Sequence, residues 1–105
     1  MMNKFTGKWL IEKMELWDRD FVDLNGRGHF TFEPDTNGLF TFGAMDCSMC
    51  GKRKNTRLDF TFEGFDEGDM ASRRGYVHLT GENTLSGRIC FHLGDESDFT
   101  AIRDK

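Results

Sequence analysis

The clearest alternation of apolar and polar positions lies near the C-terminal end, in LSGRICFHLGDESDFTAIR (Leu85–Arg103). Leu85, Gly87, Ile89, Phe91 and Leu93 fall on one face of a period-2 strand, and Ser86, Arg88, Cys90 and His92 on the other. Beyond the turn, Phe99 and Ala101 repeat the apolar face. Faces must match across an antiparallel ladder, so setting Phe91 opposite Phe99 predicts a hairpin with Gly94, Asp95 and Glu96 in its loop. This register puts His92 opposite Asp98, Cys90 opposite Thr100 and Arg88 opposite Ile102. It also turns Arg103 inward, opposite Gly87, where a guanidinium needs a partner.

The same reading upstream predicts a first strand over Lys8–Leu16, with Trp9 and Ile11 on one face and Leu10, Met14 and Leu16 on or near the other. The alternation breaks around Glu12–Glu15, which predicts a bulge. Trp17–Arg27 is polar and turn-rich, with Phe21, Val22 and Leu24 as apolar anchors. Strands follow at His29–Glu33 and Leu39–Ala44, joined by Pro34–Gly38, whose Pro and Asn-Gly are strong turn formers. A five-residue loop there sets Phe32 opposite Phe40 and Phe30 opposite Phe42, making one face an aromatic ladder. Met45–Asn55 reads as a long loop, Thr56–Glu63 as a strand, and Gly64–Arg74 as a second long loop. Gly75–Thr80 is the next strand, and pairing Leu79 with Leu85 sets His78 opposite Ser86. No amphipathic helix of ten residues or more is visible.

Seven or eight short antiparallel strands in succession predict an all-β fold, a small up-and-down β-barrel with a flattened β-sandwich as the alternative. Residues 1–105 make one domain. Eleven phenylalanines supply much of the core, and their i,i+2 clusters (Phe30/Phe32, Phe40/Phe42, Phe60/Phe62) suit strands and not helices. So many inward rings also raise the expectation that a barrel of this size is filled by side chains.

Charge and cysteine content narrow the function classes. A net charge of −4 argues against non-specific nucleic-acid binding. The basic run Lys52-Arg53-Lys54, with Arg57 nearby, reads as a solvated loop. Neither a membrane-spanning run of ~20 apolar residues nor a signal-peptide pattern is present, so a cytoplasmic protein is expected. Three cysteines, an odd number, then read as free thiols.

Gly7-Lys8-Trp9, together with an inward Arg103 at the end of the last strand, resembles the lipocalin/calycin signature. The resemblance implies a calycin-like barrel in which the tryptophan packs under that arginine at the barrel base, a cation–π arrangement. MELWDRD, HFTFE, FTFGAMDC, DFTFEGFDEGD and FHLGDESDFTA, spread over nearly the whole chain, look like a group of small uncharacterised bacterial proteins. That likeness implies a bacterial source and no particular activity. The second cysteine of CSMC stands outside the group's pattern, so a metal site using it would be particular to this chain.

Several residues are candidates for chemistry. Cys47-x-x-Cys50-Gly-Lys resembles half of a zinc ribbon, and Cys90 with His92 would complete a Cys₃His set. The preferred reading is three unliganded thiols and no cofactor, with zinc the minority one. His92 and Asp98 form a candidate acid–base pair with Asp95 and Ser97 nearby, but a cross-strand ion pair that stabilises the hairpin is the preferred reading, since no nucleophile or oxyanion donor set is visible. Glu63, Asp66, Glu67 and Asp69 cluster acidic charge without the spacing of a calcium loop. Trp17 to Asp20 is a candidate lid over one barrel mouth. The leading expectation is a non-catalytic binding module, monomer or homodimer. It would take a small apolar ligand at that mouth through Trp17, Phe21, His92, Asp95 and Asp98, or a protein partner through its loops. A zinc protein or an acid–base enzyme is the alternative. Neither nucleic acid nor membrane is an expected partner.

Overall fold

The computed structural model describes residues 4–24, 26–54, 56–66, 69–91, 94 and 96–104, the side chains at 54, 66 and 69–73 excepted. Among these residues eight strands and one helical turn follow in order. They are β1 (Gly7–Met14), α1 (Arg19–Val22), β2 (His29–Phe32), β3 (Gly38–Phe42), β4 (Met45–Lys54), β5 (Arg57–Asp66), β6 (Asp69–Leu79), β7 (Thr84–Phe91) and β8 (Glu96–Arg103). Each strand pairs antiparallel with the next, and β8 returns to β1, so the sheet is a closed up-and-down barrel. Closure leaves no edge strand to template association.

The eighth strand comes from a segment that composition disguises. Met45–Asn55, expected as a loop, is mostly β4, and it pairs with β5 without interruption from Met45↔Asp66 to Lys54↔Arg57. The period-2 signal is carried by sulfur: Met45, Cys47 and Met49 are buried, while Asp46, Ser48 and Cys50 are exposed. Methionine and cysteine pack as apolar groups, so the segment is amphipathic without a single branched aliphatic residue. The second expected loop, Gly64–Arg74, is likewise replaced by the ends of β5 and β6, paired from Gly64↔Ala71 to Asp66↔Asp69.

Two expected registers shift by even numbers of residues. Phe30 pairs with Phe40 and Phe32 with Gly38, because the turn is Glu33–Asn37, closed by Glu33 N–H donating to the Asn37 carbonyl at 2.7 Å. In the last hairpin Phe99 lies opposite Gly87, not Phe91, and Arg88 lies opposite Asp98. An even slip preserves every inward face, so alternation cannot detect it. Bulk decides it. Phe99 opposite a glycine has room to reach across the lumen and stack on Phe30 at 4.8 Å, while Phe91 sits at the barrel end against Phe62 and Phe42.

The expected bulge is present in β1, where pairing to β8 skips a residue between Ile11 and Lys13. Its consequence differs from the expected face assignment. The extra residue turns Met14 inward beside Trp9 and Ile11, all three buried. Inside, rings from strands that are not neighbours meet: Phe30 with Phe60 at 6.1 Å and Phe40 with Phe62 at 5.0 Å. Each such pair adds roughly 0.5–1.5 kcal/mol beyond the area it buries.

Candidate functional site

Where this chain can engage another molecule depends on which surfaces its own side chains leave open, beginning with the two barrel ends. At the base, Trp9 is fully buried and its Nε1–H donates to the Phe5 carbonyl at 2.8 Å. The Arg103 guanidinium lies over the indole at 4.1 Å from the ring centroid. Its two terminal nitrogens donate to the carbonyls of Thr6 (2.9 Å) and Lys4 (3.0 Å). Gly7 has φ +124°, and a β-carbon there would stand 3.1 Å from Arg103 Nη1, so the position needs glycine twice over. Gly7, Trp9 and Arg103 therefore tie the N-terminal segment across the base.

The opposite end is covered by α1. Asp18 caps the turn, accepting from the Phe21 N–H at 3.0 Å. Trp17 stacks on Phe21 (5.8 Å) and meets Phe42 (5.4 Å) and Phe91 (5.9 Å), while Val22 is buried and accepts from the Gly43 N–H at 3.0 Å. Arg19 donates to the carbonyls of Ile11 (2.9 Å) and Glu12, satisfying acceptors beside the β1 bulge. Asp23 fastens the far side: Oδ1 accepts from the Gly28 N–H at 2.9 Å, and Oδ2 meets both Arg19 and Arg27 at 3.4 Å. Partial burial raises the Asp23 pKa, but the Gly28 hydrogen bond and the two arginines outweigh it and hold the carboxyl below its ordinary value. Trp17 and Phe21, expected to line a ligand mouth, thus pack on one another and on the core.

Other expected site residues are dispersed. Asp98 lies on the outer wall and takes a 2.6 Å hydrogen bond from Arg88, which also reaches Glu96 (3.4 Å) and Glu15 (4.0 Å). His92 and Asp95, and with them the expected His92–Asp98 pair, lie outside the described residues, as does Glu67. Cys47 and Cys50 do not share a turn. Both are on β4, three residues apart, so one thiol points into the core and the other out. Cys90 is partly exposed on β7, and its thiol donates to Glu96 Oε1 at 3.3 Å. Among the described residues no three His, Cys, Asp or Glu side chains group closely enough to hold one ion. Gly51, the glycine of the ribbon-like motif, serves the sheet instead. Its N–H donates to Asn37 Oδ1, its carbonyl accepts from Thr36 Oγ1, and a β-carbon would stand 2.1 Å from the Thr36 carbonyl.

Hollows of about 210 Å³ between β1 and α1 and about 660 Å³ beside Arg103 and the β6–β7 turn lie at the two ends, and two more lie on the outer wall. One hollow of about 520 Å³ lies over β3, β4 and β5, flanked by Leu39 and Phe65, which are 46% and 59% exposed. A second, of about 440 Å³, lies over β4 to β7 and is lined by Cys50, Lys52, Arg57, Thr61, Arg74 and Tyr76 among others. Neither was anticipated from the sequence. Parity would have turned Phe65 outward had β5 been extended past Glu63, and Lys52 and Arg74 fell in segments read as loops.

Comparison of the chain with protein-family models, with curated proteins and with solved structures found no match. No helix among the described residues is long and apolar enough to cross a membrane.

Proposed function

We propose that this chain is a non-catalytic binding module in which the filled barrel is a rigid scaffold and the outer wall receives a protein partner. One observation carries the reading. The lumen is occupied from base to lid by the chain's own rings, from Trp9 under Arg103 through Phe30, Phe60 and Phe62 to Trp17. A small apolar ligand at the mouth would have to displace stacked, buried side chains, each of which gains roughly 1.5–3 kcal/mol by staying in place. The outer wall asks no such exchange. It offers two hollows, one bordered by exposed Leu39 and Phe65 and the other by basic and aromatic side chains.

The finer assignments belong to the same proposal. The calycin likeness rests on Gly7, Trp9 and Arg103 at the base. A reducing bacterial cytoplasm as the working compartment accords with three cysteines that form no disulfide. Native mass spectrometry of the freshly purified chain tests the scaffold reading. The expected spectrum holds the bare polypeptide mass, and an apolar dye does not titrate stoichiometrically into the native protein. A retained organic mass of a few hundred daltons, released only on unfolding, would overturn it in favour of an internal ligand.

A further inference from the structure

The hollow over β4 to β7 has a charge character opposite to that of the chain. Three cations line it, Lys52, Arg57 and Arg74, against one carboxylate, Asp59, on a protein of net charge −4. Asp59 is already answered within the wall: Arg57 Nε meets its Oδ1 at 2.8 Å and Nη2 its Oδ2 at 3.4 Å. The same guanidinium lies 4.8 Å over the Tyr76 ring, so Arg57 is held by both neighbours. Lys52 and Arg74 make no ion pair or side-chain hydrogen bond among the described residues. The next arginine along the wall, Arg88, is surrounded by Asp98, Glu96 and Glu15, which ends the basic region there.

Register explains why these groups enclose a hollow. Cys50, Thr61, Arg74 and Cys90 form one row across β4 to β7, and Lys52, Asp59, Tyr76 and Arg88 form the row beside it. Cys50, Thr61 and Cys90 are short, so the first row is a depression from which only Arg74 rises. Lys52 and Arg74 stand two strands and one pleat apart, about 12 Å between Cα atoms at the usual strand spacings. An extended chain places same-side residues i and i+4 about 13 Å apart. Two carboxylates so spaced meet both cations at once, whereas a single phosphate group is far narrower than the gap.

We propose that this hollow docks an acidic, extended segment of a partner protein. The proposal rests on the reading of the outer wall as the binding surface and names where on it, and to what chemistry, the partner binds. Steering by opposite charge also suits such a site, since the rest of this acidic chain repels an acidic partner and leaves one productive approach.

Titration of the isotope-labelled chain with N-acetylated hexaglutamate, followed by amide chemical shifts at low salt, is the test. Saturable shifts are expected at Cys50, Lys52, Thr61, Arg74 and Tyr76, and none with hexaglutamine. Lys52→Ala and Arg74→Ala, both at exposed positions, should each weaken binding about three- to tenfold and flatten its salt dependence. Thr61→Trp, which fills the depression and changes no charge, should abolish the shifts. Shifts scattered over all basic residues and indifferent to Thr61→Trp would overturn the proposal in favour of diffuse attraction. Inorganic phosphate saturating the same amides more tightly would overturn it in favour of a small phosphate ligand. Groove shifts that grow with protein concentration alone would overturn it in favour of a second copy of this chain. A silent titration on a chain of bare native mass sinks the groove and leaves the wall reading with the Leu39/Phe65 hollow, whereas a retained internal ligand sinks the wall reading itself.

Discussion

Arg103 shows how one residue can be read from sequence in position and only from structure in purpose. An arginine on an inward-facing position demanded a partner. The structure supplies one ring and two carbonyls, with the indole of Trp9 beneath and the N-terminal segment across it. Arg103→Met should cost about 2–3 kcal/mol in urea denaturation, the sum of a part-buried cation–π contact and two hydrogen bonds. Arg103→Lys should recover less than half of that, because an ammonium cannot stack flat and fork to two carbonyls together. Equal stability of the two variants would show that charge alone matters there. Ser97 is the contrasting case. It is a fully buried hydroxyl that accepts from the Leu16 N–H at 3.1 Å and donates to the Asp98 carbonyl at 2.9 Å. The sequence marked it only as a neighbour of the candidate His92–Asp98 pair, since its structural role arises only where β8 meets the chain leaving β1.

At the scale of elements, α1 and β4 were missed for different reasons. A four-residue turn is too short for helical periodicity to register, and this one exists because its surroundings hold it: the Asp18 cap, the buried Val22 and the Asp23 clasp. The clasp makes the lid sensitive to acid. The Asp23 carboxyl is held below its ordinary value of 3.8, so its contribution is present above that value and is lost as pH falls through the lower, folded value. Amide exchange at Gly28 and Gly43, corrected for its intrinsic pH dependence, should therefore accelerate as pH falls below the ordinary carboxyl value of 3.8. Asp23→Asn should show the faster exchange at every pH and no step. A step of the same size in both proteins would assign the lid's opening to another group. The β4 strand was missed because its inward residues are sulfur-bearing and it ends in the basic run Lys52-Arg53-Lys54, a composition that suits a loop. Its alternation was legible in MDCSMC, and the ten-residue ladder with β5 settled it.

At the scale of the whole molecule, the barrel wall divides residues of one type into two fates. Phe30 is fully buried and meets Phe32, Phe40, Phe60 and Phe99, whereas Phe65 is 59% exposed beside a surface hollow. Phe30→Ala should lose about 3–5 kcal/mol, since a closed barrel cannot collapse onto the space left. Phe65→Ala should change stability by less than about 0.5 kcal/mol in the same denaturation experiment. Comparable losses at the two positions would mean that the outer hollow is part of the core.

What the sequence by itself determined is the all-β class, the inward faces of most strands, the bulge in β1 and an inward Arg103 in need of a partner, because each depends on period-2 burial; that Trp9 is the partner came only with the likeness to the calycin signature. Alternation has no memory of even slips, so the registers at Phe30–Phe40 and Gly87–Phe99 waited on how rings fill the lumen. Strand pairing decided the rest. Only when Met45–Lys54 joins the sheet as β4, beside β5 and β6, do Cys47 and Cys50 part to opposite sides of a wall. Only then do Lys52 and Arg74, 22 positions apart in the chain, come to face one hollow across two strands. A functional surface of that kind is written in no local stretch, since its members share nothing but their row in the sheet.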